Sequence, residues 1–263
     1  MKRLAGYTGR NARILLQHLS SITALFMETC YWIFVAPWKG KWPSGKEILR
    51  QMELVGVDSV PIVAFVSLFF GLTLAMLTSY QLQQVGSEMM LGSLVGISFT
   101  RELGPLLTGI VVAARVGAAI TAELGSMNVY EEIDALDTMA IPPVRFLVVP
   151  RIIALLIMMP CLVVIANIVG IIGGYLIGRF SLHINSAYYV RLMFDSMVLK
   201  DVFTGLFKSV FFAGIIGMIS CYQGFIVRGG AEGVGRATTQ SVVLAIELII
   251  VIDSFWNAVF YFM

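Results

Sequence analysis

The sequence predicts an all-α integral membrane protein, with an N-terminal interfacial (elbow) helix followed by about five transmembrane helices. Hydrophobic residues make up 58% of the 263 residues and charged residues only 13%. A soluble domain carries close to twice that share of charge, so most side chains are expected to face lipid or a packed interior. Apolar stretches long enough to cross a bilayer recur along the chain. The net charge of +2 comes without a basic run, which argues against a nucleic-acid partner.

Residues 1–50 are predicted to form an N-terminal cytoplasmic segment that contains the interfacial helix. The apolar run over residues 14–36 includes several polar side chains, and no small-residue cleavage site follows it, so it is expected to be retained. Tryptophan and lysine mark a headgroup boundary, and they cluster around its end: Trp32, Trp38, Lys39, Lys41, Trp42 and Lys46. This pattern favours a helix in the interface, with a full crossing as the alternative.

Residues 51–263 are predicted to form the transmembrane domain. The first span, about Val60 to Leu82, begins with Pro61, a residue suited to the first turn of a helix. The second, about Met89 to Leu124, is too long for one straight crossing, and Gly104-Pro105 inside it predicts a kink. The other three spans are placed at about residues 146–177, 202–227 and 240–261.

Three connections between the spans are polar. A stretch from Asn128 to Pro143, rich in acidic residues, follows the second span. A polar loop that includes Tyr188 and Tyr189 follows the third. A glycine-rich loop from Arg228 to Thr239 is expected to precede the last span.

Lysine and arginine side chains determine the predicted orientation, because they are enriched in cytoplasmic loops. The first fifty residues contain eight of them. Loops on the same side add Arg145, Arg151, Arg228 and Arg236, whereas the opposite side has Arg179, Arg191 and Lys200. The bias predicts a cytoplasmic N-terminus and, with five spans, a C-terminus on the far side.

Some ionisable side chains fall at bilayer depth, where a charge costs roughly 2.5–3.5 kcal/mol and needs a partner or a function. They are Arg101, Glu102, Lys208, Glu247 and Asp253. With a rise of about 1.5 Å per residue, Lys208 and Asp253 lie about 10–13 Å below the outer ends of their spans, and Arg101 and Glu102 lie near the midplane. Two interpretations stay open: a structural ion-pair set that locks the helices, or a polar ring around a cavity that rearranges during transport. Glu247 is the weaker member because it lies toward the cytoplasmic side.

The sequence lacks the common motifs of nucleotide binding and hydrolysis. It contains no GxxxxGK[ST] phosphate loop, no HExxH and no GxSxG. Cys30, Cys161 and Cys221 are scattered through apolar segments, and His18 and His183 stand far apart. We therefore expect no catalytic residue and no metal site.

Ordered motifs from about Val60 to the C-terminus resemble those of the MlaE (YrbE) permease family. The earlier ones are Arg101-Glu102-Leu103-Gly104-Pro105, Ala114-Arg115-Val116-Gly117-Ala118, Ala122-Glu123-Leu124-Gly125-Ser126-Met127 and Glu132-Ile133-Asp134-Ala135-Leu136. The later ones are Pro143, Pro150-Arg151, Lys208-Ser209 and Gly233-Val234-Gly235-Arg236-Ala237-Thr238-Thr239. The resemblance covers most of the chain.

The resemblance implies a permease subunit of an ABC transporter that carries phospholipids between the inner and outer membranes of a bacterium and maintains outer-membrane lipid asymmetry. It implies a homodimer in the inner membrane, with a C-terminus in the periplasm. The implied partners are a cytoplasmic MlaF-like ATPase that binds ATP and Mg²⁺, a periplasmic ring of MlaD-like MCE-domain proteins, and an MlaB-like STAS-domain protein. The chain itself is then not an enzyme and holds no cofactor.

The resemblance also implies roles for residues of this chain. A coupling helix at about residues 128–143 docks into the ATPase through Glu131, Glu132, Ile133, Asp134, Leu136 and Met139, with the three apolar residues as knobs; an ordinary solvated helix is the alternative. Arg101, Glu102, Lys208 and Asp253 match polar residues of the central cavity, where Arg101 or Lys208 meets a lipid phosphate. The apolar wall of the lipid pocket is assigned to Leu77, Leu82 and Val85.

Two other classes of protein remain as alternatives. An ion-driven secondary transporter would use Glu102 and Asp253 as proton sites, although no inverted repeat is visible in this short chain. A membrane enzyme that acts on lipids has even less support, since the hydrolase motifs are missing. Dependence on a nucleotide-binding partner separates both from an ABC permease.

Overall fold

The computed structural model describes residues 20–35 and 44–262. The predictions for His18, Trp38, Lys39, Lys41 and Trp42 lie outside these residues. Within them, five helical segments are long and apolar enough to cross a membrane: Gly45–Gln84, Glu88–Val129, Val144–Phe180, Leu199–Phe225 and Gly230–Phe262. A shorter apolar helix, α1, covers Ser20–Val35. The predicted all-α class with five spans and an N-terminal apolar helix is confirmed.

Helix α1 contacts the bundle at both of its ends on the same side of the membrane. Near its start, Ser21 shares a cavity with Arg228, just after the fourth span. Near its end, Trp32 lies under the Arg145 guanidinium, 5.4 Å from ring centroid to Cζ, at the start of the third span. The start of the third span and the end of the fourth lie at one face of an antiparallel pair. These contacts favour the interfacial placement over a full crossing.

The first candidate span consists of two helices, α2 (Gly45–Val55) and α3 (Val60–Gln84). Pro61 lies in the first turn of α3, as predicted, since that position needs no N–H donor. Helix α3 packs tightly on the third span, because a Cβ at Gly71 would lie only 2.0 Å from the carbonyl oxygen of Gly170. Such close approach of two backbones is a common way for helices to associate in lipid.

The second span departs from α-helical geometry twice. Its parts α4 (Leu91–Ser98), α5 (Gly104–Val112) and α6 (Ala118–Val129) are separated by π-helical turns at Phe99–Leu103 and Ala113–Gly117. The first turn directly precedes Gly104-Pro105, where the sequence predicts a kink. Proline cannot donate the i→i−4 hydrogen bond, and a π turn accommodates this loss.

The predicted coupling helix is shorter than expected. Helix α7 covers only Glu132–Thr138, since Glu131 (φ 60°) and Ala140 (φ 58°) have left-handed backbone conformations that interrupt the helix on either side. Asn128 belongs to the end of α6 instead, where its Nδ2 donates to the Val227 carbonyl at 2.9 Å. We call the membrane side that carries α7 the α7 face.

The third span begins with a π turn and continues as α8 (Val149–Phe180). The region after it, predicted as a loop, forms helix α9 (Ser186–Ser196) on the opposite side. Tyr189 anchors α9: its ring lies in a notch formed by small residues, with a Cβ at Gly178 only 3.0 Å from Cε2. Burial raises the pKa of the Tyr189 hydroxyl to about 12. The loop prediction was wrong because tertiary packing stabilises a helix of mixed composition.

The last two spans are α10 (Leu199–Phe225) and α11 (Gly230–Phe262). Helix α11 begins ten residues before the predicted start at Gln240, so most of the predicted glycine-rich loop is helical. Gly233 is required there for packing, since a Cβ would lie 2.0 Å from the Arg228 carbonyl oxygen. The bundle core forms where α10 packs against α6, α8 and α11.

Candidate functional site

Lys208 lies at the centre of a buried ion cluster. Its side chain is 0% exposed, and its Nζ donates to Glu102 Oε2 at 2.7 Å. Nζ also lies 2.9 Å from Asp253 Oδ1, an ion pair without an aligned hydrogen bond among the described residues. The structure therefore joins three of the four residues that the family resemblance assigns to the central cavity.

Asn257 completes the arrangement, and the sequence analysis missed it. Its Oδ1 accepts from Lys208 Nζ at 2.5 Å, and its Nδ2 donates to Glu102 Oε1 at 2.6 Å and to Asp253 Oδ2 at 3.2 Å. We call Glu102, Lys208, Asp253 and Asn257 the polar cluster. The spacing in the sequence could have indicated Asn257. It follows Asp253 by four residues, which places both side chains on the same face of α11.

Close backbone contact brings the elements of the polar cluster together. A Cβ at Gly205 would lie 2.1 Å from the carbonyl oxygen of Thr100, so α10 approaches the π turn that carries Glu102 very closely. Lys208 follows Gly205 by about one helical turn and therefore reaches Glu102. With all groups ionised, one cation faces two carboxylates. Because the Glu102 side chain is 33% exposed, the cluster is open on that side.

An aromatic layer packs between α10 and α11 beside the polar cluster. The rings of Phe207 and Trp256 meet edge to face with centroids 4.8 Å apart, and Phe211 lies 4.9 Å from Trp256. Phe260 stacks on Trp256 at 5.6 Å and meets Phe207 edge to face at 6.0 Å. Phe207 and Trp256 are chain neighbours of Lys208 and Asn257, so the aromatic layer lies at the same depth along α10 and α11 as the polar cluster.

Arg101 does not join the polar cluster, contrary to the prediction. It points toward Asp201, with 3.9 Å between Nη1 and Oδ1. Successive residues of a helix differ by about 100° in direction, so Arg101 and Glu102 cannot face the same partner. This leaves Lys208 as the cation of the site.

The three residues predicted to form the lipid wall lie on the outside of the chain or in a different cluster. Leu77 and Val85 are exposed on α3 and just after it. Leu82 is half-buried and packs with the residues around Tyr189. A pocket bounded by Leu77 and Val85 needs a second surface opposite them.

The predicted coupling residues divide into a buried and an exposed group. Ile133 is 8% exposed and belongs to the bundle core, and Leu136 packs partly against the same core. Met139 is 67% exposed. Glu131, Glu132 and Asp134 are also exposed. The assignment of Ile133 as a docking knob is therefore corrected: it anchors α7 to the bundle, whereas Met139 and the acidic residues are exposed.

Two arginines of the family-like motifs tie the bundle together near the α7 face. Arg151 is nearly buried and pairs with Glu123 at 2.9 Å, while its Nε and Nη1 have no hydrogen-bond partner among the described residues. Arg115 donates to Ser59 Oγ at 2.7 Å and to the Leu54 carbonyl at 3.1 Å, which fixes the joint between α2 and α3. In residues 20–35 and 44–262, no group of three or more His, Cys, Asp or Glu side chains could hold a metal ion.

Five helices of membrane-spanning length, with a buried ion cluster and an exposed short helix on one face, define a polytopic membrane protein. The chain belongs to the Permease MlaE family, which matches residues 48–259. A probable ABC transporter permease protein of Rickettsia typhi is 45% identical over 204 residues, 78% of this chain and 79% of the relative. A probable ABC transporter permease protein of Synechocystis sp. is 38% identical over 210 residues, 80% of each chain. The intermembrane phospholipid transport system permease protein MlaE of Haemophilus influenzae is 34% identical over 215 residues, 81% of this chain and 82% of the relative.

Proposed function

We propose that this chain is the membrane subunit of an ABC transporter that moves phospholipids between the inner and outer membranes and thereby maintains outer-membrane lipid asymmetry. The polar cluster carries the proposal, because a lipid phosphate can replace a carboxylate as the partner of a buried ammonium group. The name of the Haemophilus influenzae relative supports phospholipid as the substrate. A partner ATPase binds ATP and Mg²⁺, and this chain needs no cofactor.

Transport requires the polar cluster to open and close. An arriving phosphate competes with Glu102 and Asp253 for the Lys208 ammonium group. Asn257 hydrogen-bonds both carboxylates through Nδ2, so it holds them in place when the lysine changes partner. The Glu102 side chain is 33% exposed, whereas those of Lys208 and Asp253 are 0% and 7% exposed, so the headgroup enters from the Glu102 side. An ion-pair cluster that rearranges in this way combines the two roles considered for the buried charges: it holds the helices together and it changes partners during transport.

The lipid pocket lies between two copies of the chain. Leu77 and Val85 present hydrocarbon on the outer surface of the first span, and exposed Phe65 and Phe69 extend this apolar surface. The two phenylalanine rings pack together with centroids 4.7 Å apart. A second copy opposite this surface encloses acyl chains between two such walls. This arrangement supports a homodimer.

Helix α7 is the contact with the ATPase. It presents exposed acidic side chains and is followed directly by the exposed Met139, while Ile133 and Leu136 hold it against the core, so a movement of α7 is transmitted directly to the bundle. Arg145, Arg151, Arg228 and Arg236 lie at the same face, which supports a cytoplasmic α7 face, a cytoplasmic N-terminus and a periplasmic C-terminus in the inner membrane. The remaining partners in this proposal are an MlaD-like MCE-domain ring in the periplasm and an MlaB-like STAS-domain protein in the cytoplasm.

Native mass spectrometry of the intact assembly, extracted from membranes through a tag on this chain, tests the proposal. We expect two copies of the chain, two ATPase subunits and bound phospholipid in one complex. A purified chain that moves lipid without companion subunits would refute it. Lipid movement driven by a proton gradient without ATP would instead support the secondary transporter.

A further inference from the structure

A groove of about 810 Å³ runs between α1 and the bundle, and no residue of the polar cluster lines it. Its walls come from α1, α8, α10 and α11, and include Phe26, Ile33, Leu156, Ile215, Ile219 and Leu248. Thr29 is also on the wall, but its hydroxyl donates to the Leu25 carbonyl at 2.7 Å within α1. We call this feature the α1 groove. Its surface offers hydrocarbon, as the fatty chains of a lipid require.

A polar cavity of about 560 Å³ continues the α1 groove at the α7 face. Ser21 lines the cavity and the next residue, Ile22, lines the groove. On α10, Tyr222 of the cavity lies one turn beyond Met218 of the groove. The two spaces therefore form one amphipathic site, with its polar end at the membrane surface.

Arg228 is the charged group at the polar end of this site. Its side chain is exposed, and no carboxylate of the described part of the chain forms an ion pair with it. Guanidinium binds phosphate with two parallel hydrogen bonds, so Arg228 suits a phosphodiester headgroup. Charge and position are both complementary to a phospholipid.

The depth of the site corresponds to one leaflet. On α10 the lining extends from Phe225 at the polar end to Val210 at the apolar end. At about 1.5 Å per residue these positions are about 22 Å apart along the helix. A bilayer is about 40–45 Å thick with its headgroup regions, so one leaflet accounts for about half of that thickness.

We propose that the α1 groove is a binding site for one phospholipid of the leaflet at the α7 face, with its phosphate on Arg228 and its acyl chains against α1 and α10. The site is separate from the polar cluster and goes beyond the proposed transport function. It makes α1 a structural cover for a bound lipid, in addition to an interfacial anchor.

Gly214 offers a precise way to block the site. It lines the α1 groove, and a Cβ added there meets nothing within 4 Å, so Gly214→Leu fills the groove without displacing the core. Gly235→Leu is the matched control, since its added Cβ also meets nothing within 4 Å and it lies outside the groove lining. Arg228→Gln removes the charge and keeps a polar side chain.

The experiment uses the full-length chain in its complex, in phosphatidylethanolamine and phosphatidylglycerol vesicles that contain a phospholipid with a diazirine in one acyl chain. After illumination, we expect labels within residues 22–34 and 210–219. Labelling should fall several-fold in Gly214→Leu and remain unchanged in Gly235→Leu. Arg228→Gln should reduce labelling by the phospholipid probe but not by a diacylglycerol probe with the same diazirine chain.

Three outcomes would overturn the proposal. One is labelling of the α1 groove that Gly214→Leu leaves unchanged. Another is labelling no stronger than on the exposed surface of α8 around Ile168. The third is an efficient cross-link between the Cys30 side chains of two copies together with absent lipid labelling, since Cys30 lines the groove and a second copy would then cover it. Because the readout is labelling, lipid transport can persist or fail independently of the result.

Discussion

Lys208 Nζ and Glu102 Oε2 lie 2.7 Å apart, although 106 positions separate the two residues in the chain. The contact joins the fourth span to the first π turn of the second span, Phe99–Leu103. Asp253 and Asn257 of the last span complete it, so three spans meet at one ammonium group. A helix that moves relative to the other two must change the partners of Lys208. Under the proposed function, this couples helix movement to the charge that a lipid headgroup meets.

Loss of the lysine should be more damaging than loss of either acid. Lys208→Met leaves two carboxylates facing each other without a cation and should lower the free energy of unfolding by roughly 3–5 kcal/mol. Glu102→Gln leaves the pair between Lys208 and Asp253 intact and should cost much less. The Glu102→Gln/Lys208→Met double variant should recover part of the loss. Chemical unfolding in detergent, analysed as a double-mutant cycle, measures these differences. Equal effects of the two single variants would argue against one shared cation.

Asn257→Leu should weaken the polar cluster while leaving all of its charges in place. The substitution removes the acceptor for Lys208 and the donor for Glu102, and buried polar groups that lose a partner cost about 1–3 kcal/mol each. The control is Ser254→Ala on the same helix, because that hydroxyl donates only to the Ile250 carbonyl in the described contacts. Thermal unfolding of both variants checks the expectation. A midpoint for Asn257→Leu that matches the control would remove Asn257 from the cluster.

Tyr189 and Tyr175 form a matched pair for hydroxyl deletion. The buried Tyr189 hydroxyl has no hydrogen-bond partner in the described residues, so Tyr189→Phe should be neutral or stabilising. Tyr175 donates to Ser186 Oγ at 2.8 Å, so Tyr175→Phe should cost about 0.5–1.5 kcal/mol. Unfolding measurements at neutral pH distinguish the two variants. A larger cost at Tyr189 would reveal a partner for its hydroxyl.

Burial of the Tyr189 hydroxyl should make the stability of the protein depend on pH. The pKa of Tyr189 is raised from its ordinary value of 10.0 to about 12, so folding favours the protonated form. This contribution is present below pH 10 and is lost as the pH rises toward 12. Tyr189→Phe should therefore lose less stability than the unmodified chain over that interval. Parallel unfolding curves for both proteins across this pH range would contradict the prediction.

Met139→Arg should release the ATPase without unfolding the permease, because Met139 is exposed at the end of α7. Ile133→Ala should instead destabilise the permease itself. It leaves a cavity under α7 and should cost about 2–5 kcal/mol, since Ile133 is a core residue. Yield of ATPase on a tagged permease and thermal unfolding separate the two effects. Leu136→Arg combines both, because Leu136 packs partly against the core. Full ATPase yield with Met139→Arg would exclude this helix end as a contact.

The buried charges were predictable from sequence because depth along a helix follows from residue count. Lys208 and Asp253 lie on consecutive antiparallel spans, so equal depth brought them together. Asn257 carries no charge, so an amide at bilayer depth does not indicate a functional site as clearly as an ionisable group does. Its spacing of four residues from Asp253 nevertheless predicts that the two side chains share a helix face. The misplacement of Arg101 was avoidable, since neighbours on a helix face different directions.

The helical segments that the sequence analysis predicted as loops were missed for a different reason. Helix α9 and the first turns of α11 contain polar or small residues that are typical of loops, and tertiary contact determines their conformation. Tyr189 has a notch of glycines to fill, and Gly233 lets α11 begin against the backbone of Arg228. Neither contact is visible in local composition. The exposure of Leu77 also depends on a partner surface, which the sequence of one chain does not display.

ATP-dependent transfer of a fluorescent phospholipid by the reconstituted complex tests the central claim most directly. The comparison is Lys208→Ala against Lys200→Ala, which removes an exposed lysine from the same helix. At equal complex yield and equal basal ATPase activity, Lys208→Ala should abolish most of the transfer and Lys200→Ala should leave it unchanged. Transfer by Lys208→Ala at the rate of the unmodified complex would contradict a role for the polar cluster in lipid movement.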